Sequence, residues 1–256
     1  MNSSVYSRFA TVYDQMDADR HSVKMVSYTS DIIGKFSLEV SDALDLCCGT
    51  GSALKLFSQL GWRLAGLDQS RPMLKVAKKK LRGCSVDLYE QSLPKFAIRE
   101  SSNSRSLRRF SLITCFYDSL NYLLTAGKLK GAFKSVYRHL KPGGLFVFDM
   151  NTPEALKVAW DGGVYADQRG DLAWIWKSSY NEQTGHGVVH ATFFEKSGRH
   201  WKRFEETHTE AAYSRVDIRK WLGEAGFVVK AIYQCYTFEK PTSETMRICV
   251  IAQRKS

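Results

Sequence analysis

The stretch "ALDLCCGTGSALKLF" at residues 43–57 decides the fold. Ala43 to Cys47 is an apolar run broken only by Asp45, the pattern of a strand buried on both faces. Gly49 and Gly51 follow at once, where the backbone can turn tightly and let a ligand approach the main chain. Ser52 is placed to cap a helix whose inner face is Leu54, Phe57 and Leu60. A helix N-terminus beside a bare glycine turn is a nucleotide-binding corner.

Outward from this corner the alternation continues to about residue 150. "RLAGLD", "SVDLYEQ", "FSLITCFYD" and "LFVFDMN" read as strands, separated by a helix from Pro72 to Leu81, a polar loop "RESSNSRSLRR" and a helix ending near Leu140. That order predicts a parallel sheet with helices on both faces. From about 163 to 213 the texture changes to "AWIWKSSY", "GVVHATFFEK" and "WKRFEETHTEAAY", an antiparallel meander. "SRVDIRKWLGEAGF" is a capped helix ending at Gly226, and "VVKAIYQCYTF" and "MRICVIAQR" return to the main sheet. The predicted fold is α/β: a doubly wound, mostly parallel, Rossmann-like seven-stranded sheet with an inserted β meander. No repeat or linker divides the chain, which reads as one domain over 1–256.

A chain of 256 residues with 44% hydrophobic content can build a full core. The first twenty residues carry acidic side chains and no apolar h-region, and no stretch reaches the roughly 18 apolar residues of a membrane span. A soluble, cytoplasmic protein is expected, with no membrane partner; its oligomeric state is not legible. The six cysteines form no C-x-x-C pair and no histidine stands at zinc-finger spacing, so no metal site is indicated and buried reduced thiols are expected. The formal charge of +11 is concentrated in "KVAKKKLR" (75–82), read as a solvated helix face, and "RSLRR" (105–109), read as a surface loop. Nucleic acid therefore stays open as a partner without being favoured.

With its glycine turn after an acidic strand, the chain resembles the class I S-adenosylmethionine-dependent methyltransferases. Asp45, Gly49 and Gly51 match that family's first motif, while Cys47 stands where the family usually has a small residue, often glycine. The resemblance implies S-adenosylmethionine as cofactor, with Asp45, Cys47, Gly49, Thr50 and Gly51 around its methionine moiety and sulfonium. It puts Asp68 of "GLDQS" on the ribose hydroxyls, with Gln69 beside it, and Met73 of "SRPML" against the adenine. The physics fits Asp68, because a carboxylate accepts from vicinal hydroxyls and this one follows the turn by the about 20 residues such a ligand needs. The family's third strand ends in an aspartate that reads the adenine amine; "YEQSLPKF" offers Gln91 or Ser92 instead. Cys115 and Phe116, ending the fourth strand, complete the cofactor set.

"FSLITCFYDSLNYLL", "HLKPGGLFVFDMNTP" and the terminal "E-x-H…LGEAGF" resemble a small-molecule branch related to amino-sugar N-methyltransferases, and "YSRFATVYDQM" resembles that branch's first helix, which folds over the cofactor and presents tyrosine, here Tyr13. The implied plan is an amino-terminal helical cover (1–40), a cofactor-binding core (41–155), a meander lid (160–213) and a terminal helix with two strands (214–256). The implied reaction is methyl transfer to a nitrogen or oxygen of a small-molecule acceptor.

Acceptor-side candidates come from position. Tyr117, Asp118, Ser119 and Asn121 follow a buried strand at the carboxyl edge of the sheet, where doubly wound folds put ligands. Asn151 ends the next strand, and Trp174 and Trp176 lie in the meander, either as packing or as a pocket wall. In "WKRFEETHTE", alternation puts Phe204, Glu206 and His208 on one face, an acid and imidazole that can form an orienting pair for base chemistry or simply cross-strand polarity. The catalytic candidates are thus His208, Glu206, Asp118 and Tyr13; Tyr13 and Asp14 have an exposed helix face as their alternative. Two rival functions remain: an RNA methyltransferase using the basic surface, although "DSLN" replaces the N-P-P-Y or D-P-P-Y motif of base-amine methylation, and a non-catalytic S-adenosylmethionine-binding regulatory protein. A nicotinamide oxidoreductase is disfavoured, because Leu54 stands where that fingerprint wants its third glycine.

Overall fold

Every residue of strand β1, Asp42–Leu46, is buried, which is why it occupies an interior place in the main sheet. The structure is a computed structural model and describes residues 6–16, 19–101 and 103–255; residues 1–5 and 17–18 of the expected cover lie outside the described residues. Before β1 come two short 3-10 turns, Phe9–Thr11 and Tyr13–Met16, and helix α1, Asp19–Lys35. After it the chain alternates through α2 (Ser52–Phe57), β2 (Arg63–Asp68), α3 (Arg71–Lys80), β3 (Val86–Glu90), β4 (Phe110–Cys115), α4 (Ala126–His139) and β5 (Leu140–Asn151). A short helix α5 (Pro153–Ala159) leads into β6 (Val164–Arg169), β7 (Leu172–Asn181), β8 (His186–Ser197) and β9 (His200–Ala211). Helix α6 (Arg215–Glu224), β10 (Phe227–Gln234) and β11 (Arg247–Arg254) complete the chain.

The seven-stranded sheet has the order β10-β11-β5-β4-β1-β2-β3. β1 pairs in parallel with β2 and β4, and β4 with β5, while β11 runs antiparallel to both of its neighbours. Strand alternation divides the core in two. Phe146, Phe148 and Met150 of β5 face α4 and α6 through Phe133, Val136 and Leu222. Leu145 and Val147 face the cluster built by α1, α2 and α3 through Met25, Leu54, Phe57 and Leu74. The seven expected strands and the helices on both faces are all present.

The meander is a separate four-stranded antiparallel sheet, β6-β7-β8-β9. Its first strand, β6, was not read from the sequence, since its residues are mostly exposed and carry no buried face. Phe9 and Val12 pack with Leu172, Trp174, Ala191 and Phe193 in a third cluster, so the cover rests on the meander. Two local expectations are corrected. Leu60 is 47% exposed rather than on an inner face, because α2 stops at Phe57. The cap of α2 is the left-handed Gly51, and Ser52 is its first helical residue. Among the described residues, no helix is long and apolar enough to cross a membrane.

Candidate active site

The glycine turn and the end of β2 are tied together by one side chain. Asp68 accepts from the Gly49 N–H at 2.9 Å and from the Ser70 N–H at 2.7 Å. Burial raises its pKa against those bonds, and each carboxylate oxygen keeps a further acceptor direction. Asp45 lies beneath, bonded by the Thr114 hydroxyl at 2.7 Å; burial lifts it to about 7, with Thr114 opposing. Gly49 has φ +53, and a Cβ there would meet nothing within 4 Å, so its side-chain direction is open space. A hydrogen-bonding carboxylate and a bare backbone turn bounding one hollow form the cradle a nucleoside with a charged amino-acid tail requires.

That hollow, of about 840 Å³, is lined by Tyr13, Asp45, Cys47, Gly49, Thr50, Asp68, Gln69, Met73, Phe116, Tyr117 and Ser119 from the expected residues, joined by Tyr6, Ser22 and Tyr122. Gly51 stays behind the turn, packed against Leu81 and Ala77. Cys115 is fully buried. The third strand contributes nothing: the Gln91 amide is spent on both the N–H and C=O of Ala97, and Ser92 is exposed. The adenine-side expectation for Gln91 and Ser92 is therefore not met.

A second cavity, of about 660 Å³, adjoins the first. Tyr13, Tyr117, Asp118, Trp176 and His208 line it as expected, with Tyr6, Phe9, Tyr122, Trp160 and Glu210. Tyr6, Tyr13, Tyr117 and Tyr122 line both hollows. Trp174 does not reach it and is core, packed with Phe193 and Phe9. Asn121 and Asn151 are buried scaffolding: the Asn121 amide donates to the carbonyls of Asn151 and Ala211, and Asn151 Nδ2 donates to Asp118 and Glu210, both at 2.9 Å.

The expected Glu206–His208 pair is not a hydrogen bond, since the carboxylate oxygen lies 3.9 Å from Nε2. Glu206 instead accepts from the backbone N–H groups of Tyr6, Ser7 and Phe9 and from the Ser7 hydroxyl, which uses its acceptor capacity on the cover. His208 Nδ1 and the Tyr122 hydroxyl are 2.9 Å apart, and that hydroxyl is 2.9 Å from the Tyr6 hydroxyl. Burial lowers the His208 pKa, so its imidazole is neutral near pH 7.

Two further groups shape the site. Tyr117 and Asp118 both sit at positive φ, 61° and 48°, a strained pairing for residues other than glycine. Asp149 holds that turn by accepting the N–H of Tyr117 at 2.8 Å and of Asp118 at 3.2 Å, and Arg247 bridges Asp118 and Asp149. Burial works against ionisation of Asp149, but Arg247 and His21 outweigh it and hold the carboxyl at about 2. Lys80 leaves the solvated face expected for 75–82 and donates to Asp14 at 2.9 Å, Thr50 at 3.0 Å and Ser52 at 2.6 Å. Asp14, also bonded by the Thr50 hydroxyl, is thus fixed to the glycine turn. Glu210 continues the 206, 208 alternation and was findable, and Tyr6 opens the same "YSRFATVYDQM" from which Tyr13 is read; Arg247 and Asp149 gave no signal, because only the tertiary fold brings them here.

A methyltransferase-domain family profile matches residues 43–144, from β1 into β5. A dTDP-3-amino-3,4,6-trideoxy-alpha-D-glucopyranose N,N-dimethyltransferase from Streptomyces venezuelae is 29% identical over 85% of this chain and 92% of its own. The crystal structure of an S-adenosylmethionine-dependent methyltransferase from Clostridium acetobutylicum ATCC 824 superposes with a TM-score of 0.85, at 29% identity, over 99% of this chain and 100% of that one. The fold is also that of CalS10, an amino pentose methyltransferase from Micromonospora echinaspora solved with S-adenosylmethionine bound, at 20% identity, a TM-score of 0.75 and 100% coverage of both chains. The agreement runs from strand order through the glycine turn to full-length relatives: the chain carries a methyltransferase domain on the class I methyltransferase fold and is similar over its whole length to S-adenosylmethionine-dependent methyltransferases.

Proposed function

We propose that the chain transfers the methyl of S-adenosylmethionine to a nitrogen or oxygen of a small molecule held in the second cavity. One observation carries this reading: the two hollows share a wall of four tyrosines, so a donor in one and an acceptor in the other meet at that wall. In this reading Asp68 takes the ribose hydroxyls, Met73 and Gln69 flank the adenine, and Asp45, Cys47, Gly49 and Thr50 face the amino-acid end. The bound cofactor supplies an electrophilic methyl on a sulfonium. Phenol faces favour a cation at the join. Alignment of donor and acceptor is the main contribution asked of the protein, worth about 7–11 kcal/mol of barrier.

The expected cover of 1–40 narrows to residues 6–16, because α1 packs into the core through Met25, Tyr28 and Ile32; this cover, the core and the four-stranded lid then have distinct duties: closing, cofactor binding and acceptor choice. His208 acts here through Tyr122. With the Glu206 carboxylate 3.9 Å from Nε2, that nitrogen carries the proton and Nδ1 accepts from the Tyr122 hydroxyl, so His208 orients a phenol instead of taking a substrate proton. The activity that names the Streptomyces relative, N,N-dimethylation of an amino sugar, supports a small-molecule nitrogen. No lysine or arginine lines the second cavity among the described residues, which speaks against an RNA strand as acceptor. Incubation with S-adenosylmethionine and a metabolite extract, read by mass spectrometry, should show one-methyl mass gains on a small molecule; methyl incorporation only into added RNA would contradict the reading.

A further inference from the structure

Glu210 is a carboxyl that no step so far employs. It lines the second cavity yet is only 2% exposed. Asn151 Nδ2 donates to it and to Asp118 at once, so an amide holds two acids side by side on the cavity wall. Asn151 is itself fixed by Asn121, through bonds to both its backbone groups. The pair is therefore built into the junction of β5, β9 and the turn after β4. Asp118 is balanced by Arg247 at 2.9 Å; Glu210 accepts from the Asn151 amide and shares a side-chain hydrogen bond with the Asp118 carboxylate.

A second feature of the same cavity points to a ligand. His208, 6% exposed, leaves Nε2 without a hydrogen-bond partner, and Trp176 leaves its indole N–H without one. Buried donors left unpaired cost roughly 1–3 kcal/mol each, so a molecule with acceptor atoms is what completes this wall. The remaining surface is mostly aromatic, from Tyr13, Tyr117 and Trp160, with Met16 and Val189 beside them. Such a hollow favours a compact cation with an oxygen at its far end.

We propose that the acceptor is a compact amine that enters as an ammonium, and that Glu210 is the catalytic residue that takes its proton. The proposal rests on the methyl-transfer reading above. Glu210 releases its resting proton to solvent as the ammonium docks against it; the ammonium N–H bond then breaks and an O–H bond forms on the Glu210 carboxylate, the electron pair left on nitrogen forms the new N–C bond, and the C–S pair remains on sulfur. An ammonium has no such pair, so proton removal is a condition of attack. Burial, with the neighbouring Asp118 carboxylate second, raises Glu210 well above the ordinary carboxyl range, while Asn151 and Arg247 oppose. A carboxyl shifted upward is a better match to an amine's proton near neutral pH. The groups facing it are Asp118 on the turn after β4, Arg247 on β11, the Tyr122 and Tyr6 hydroxyls, and His208 on its own strand.

Two measurements test this. The first is the carbon-13 titration of Glu210 in glutamate-labelled protein, assigned by its loss in Glu210→Gln or, should that variant not fold, by its downward shift in Asp118→Asn. Glu210 should hold its proton well above the pH at which exposed glutamates lose theirs; titration with the exposed glutamates overturns the proposal. In the second, methyl-labelled S-adenosylmethionine is incubated with a metabolite extract and products are split by ion exchange. Once unreacted S-adenosylmethionine, itself a cation, has been separated by reversed-phase chromatography and mass, product label should be retained on the cation exchanger. Glu210→Gln should lose about 100-fold or more of that incorporation at pH 7 and regain about tenfold per pH unit as the amine deprotonates unaided. Label confined to neutral or anionic products overturns the inference and leaves methyl transfer standing, as does a wild-type pH profile in Glu210→Gln. No label in any small molecule overturns both.

Discussion

Tyr6 and Glu206 are 200 positions apart, and the backbone N–H of Tyr6 donates to the Glu206 carboxylate at 2.6 Å. Tyr6 sits at φ 61°, and its carbonyl accepts from the Ser70 hydroxyl at 2.8 Å. One residue of the amino-terminal segment thus joins the meander strand β9 to the first residues after β2. Its ring hydroxyl then reaches Tyr122 on the wall between the two hollows. The residue read from the sequence as half of an orienting pair is the anchor of that segment.

Replacing Glu206 with alanine should free the cover without unfolding the sheet. Hydrogen bonds to a buried charge are worth about 1.5–3 kcal/mol each, and four donors lose their acceptor together. Hydrogen exchange over residues 6–16 should quicken, and S-adenosylhomocysteine should bind about tenfold more weakly. Added acetate, which refits the vacated carboxylate position, should restore part of both. Unchanged exchange in that segment contradicts the anchor role.

The basic run 75–82 divides into two kinds of lysine. Lys78 and Lys79 are exposed, whereas Lys80 holds Asp14 and Thr50. Lys78→Gln with Lys79→Gln should leave S-adenosylhomocysteine affinity within about twofold, while Lys80→Gln should weaken it by about 1 kcal/mol, the lower part of the range for a partly exposed pair with added hydrogen bonds. Calorimetry showing equal effects from both changes contradicts this division.

The two meander tryptophans should separate in the same way. Trp174 is core, so Trp174→Ala should cost about 3–5 kcal/mol of stability. Trp176 faces the second cavity, so Trp176→Ala should alter which metabolites gain a methyl while S-adenosylhomocysteine affinity holds. Loss of cofactor affinity in a folded Trp176→Ala protein removes that residue from the acceptor wall.

Local pattern carried most of the fold and about half of the site. The strand, glycine turn and helix of 43–57 and the carboxylate of Asp68 are legible because backbone sterics and strand burial fix them over a few residues. The alternation through Glu206 and His208 was also read correctly as one face. What that face does was not legible, because its partners, Tyr6 and Tyr122, come from elements remote in sequence. Lys80 was hidden for a related reason: three consecutive lysines look alike until the cover brings Asp14 to one of them. Gln91 failed as an adenine contact because a closer claim, the backbone of Ala97, occupies its amide.

Asp149 should govern the acid limb of stability. Its carboxyl titrates at about 2 in the folded chain against an ordinary 3.8, so the folded state binds fewer protons than the unfolded one between those values. The stabilisation is complete above about pH 4 and is lost as pH falls toward 2. Asp149→Asn should destabilise the protein at pH 7 by about 3 kcal/mol, since Arg247 loses a buried partner and the Tyr117–Asp118 turn a clamp. The melting-temperature gap between variant and wild type should narrow through that acid window; a gap independent of pH removes the charge from the explanation.

The most direct test of the cofactor assignment is calorimetric titration of S-adenosylhomocysteine into wild type and Asp68→Ala. The carboxylate is placed both to clasp Gly49 and Ser70 and to receive the ribose hydroxyls, so its removal leaves donors unpaired on both sides. The variant should bind more weakly by about 1–3 kcal/mol, or roughly 5- to 150-fold in Kd. Unchanged affinity in an Asp68→Ala protein that keeps its fold contradicts the placement of the cofactor in the first hollow.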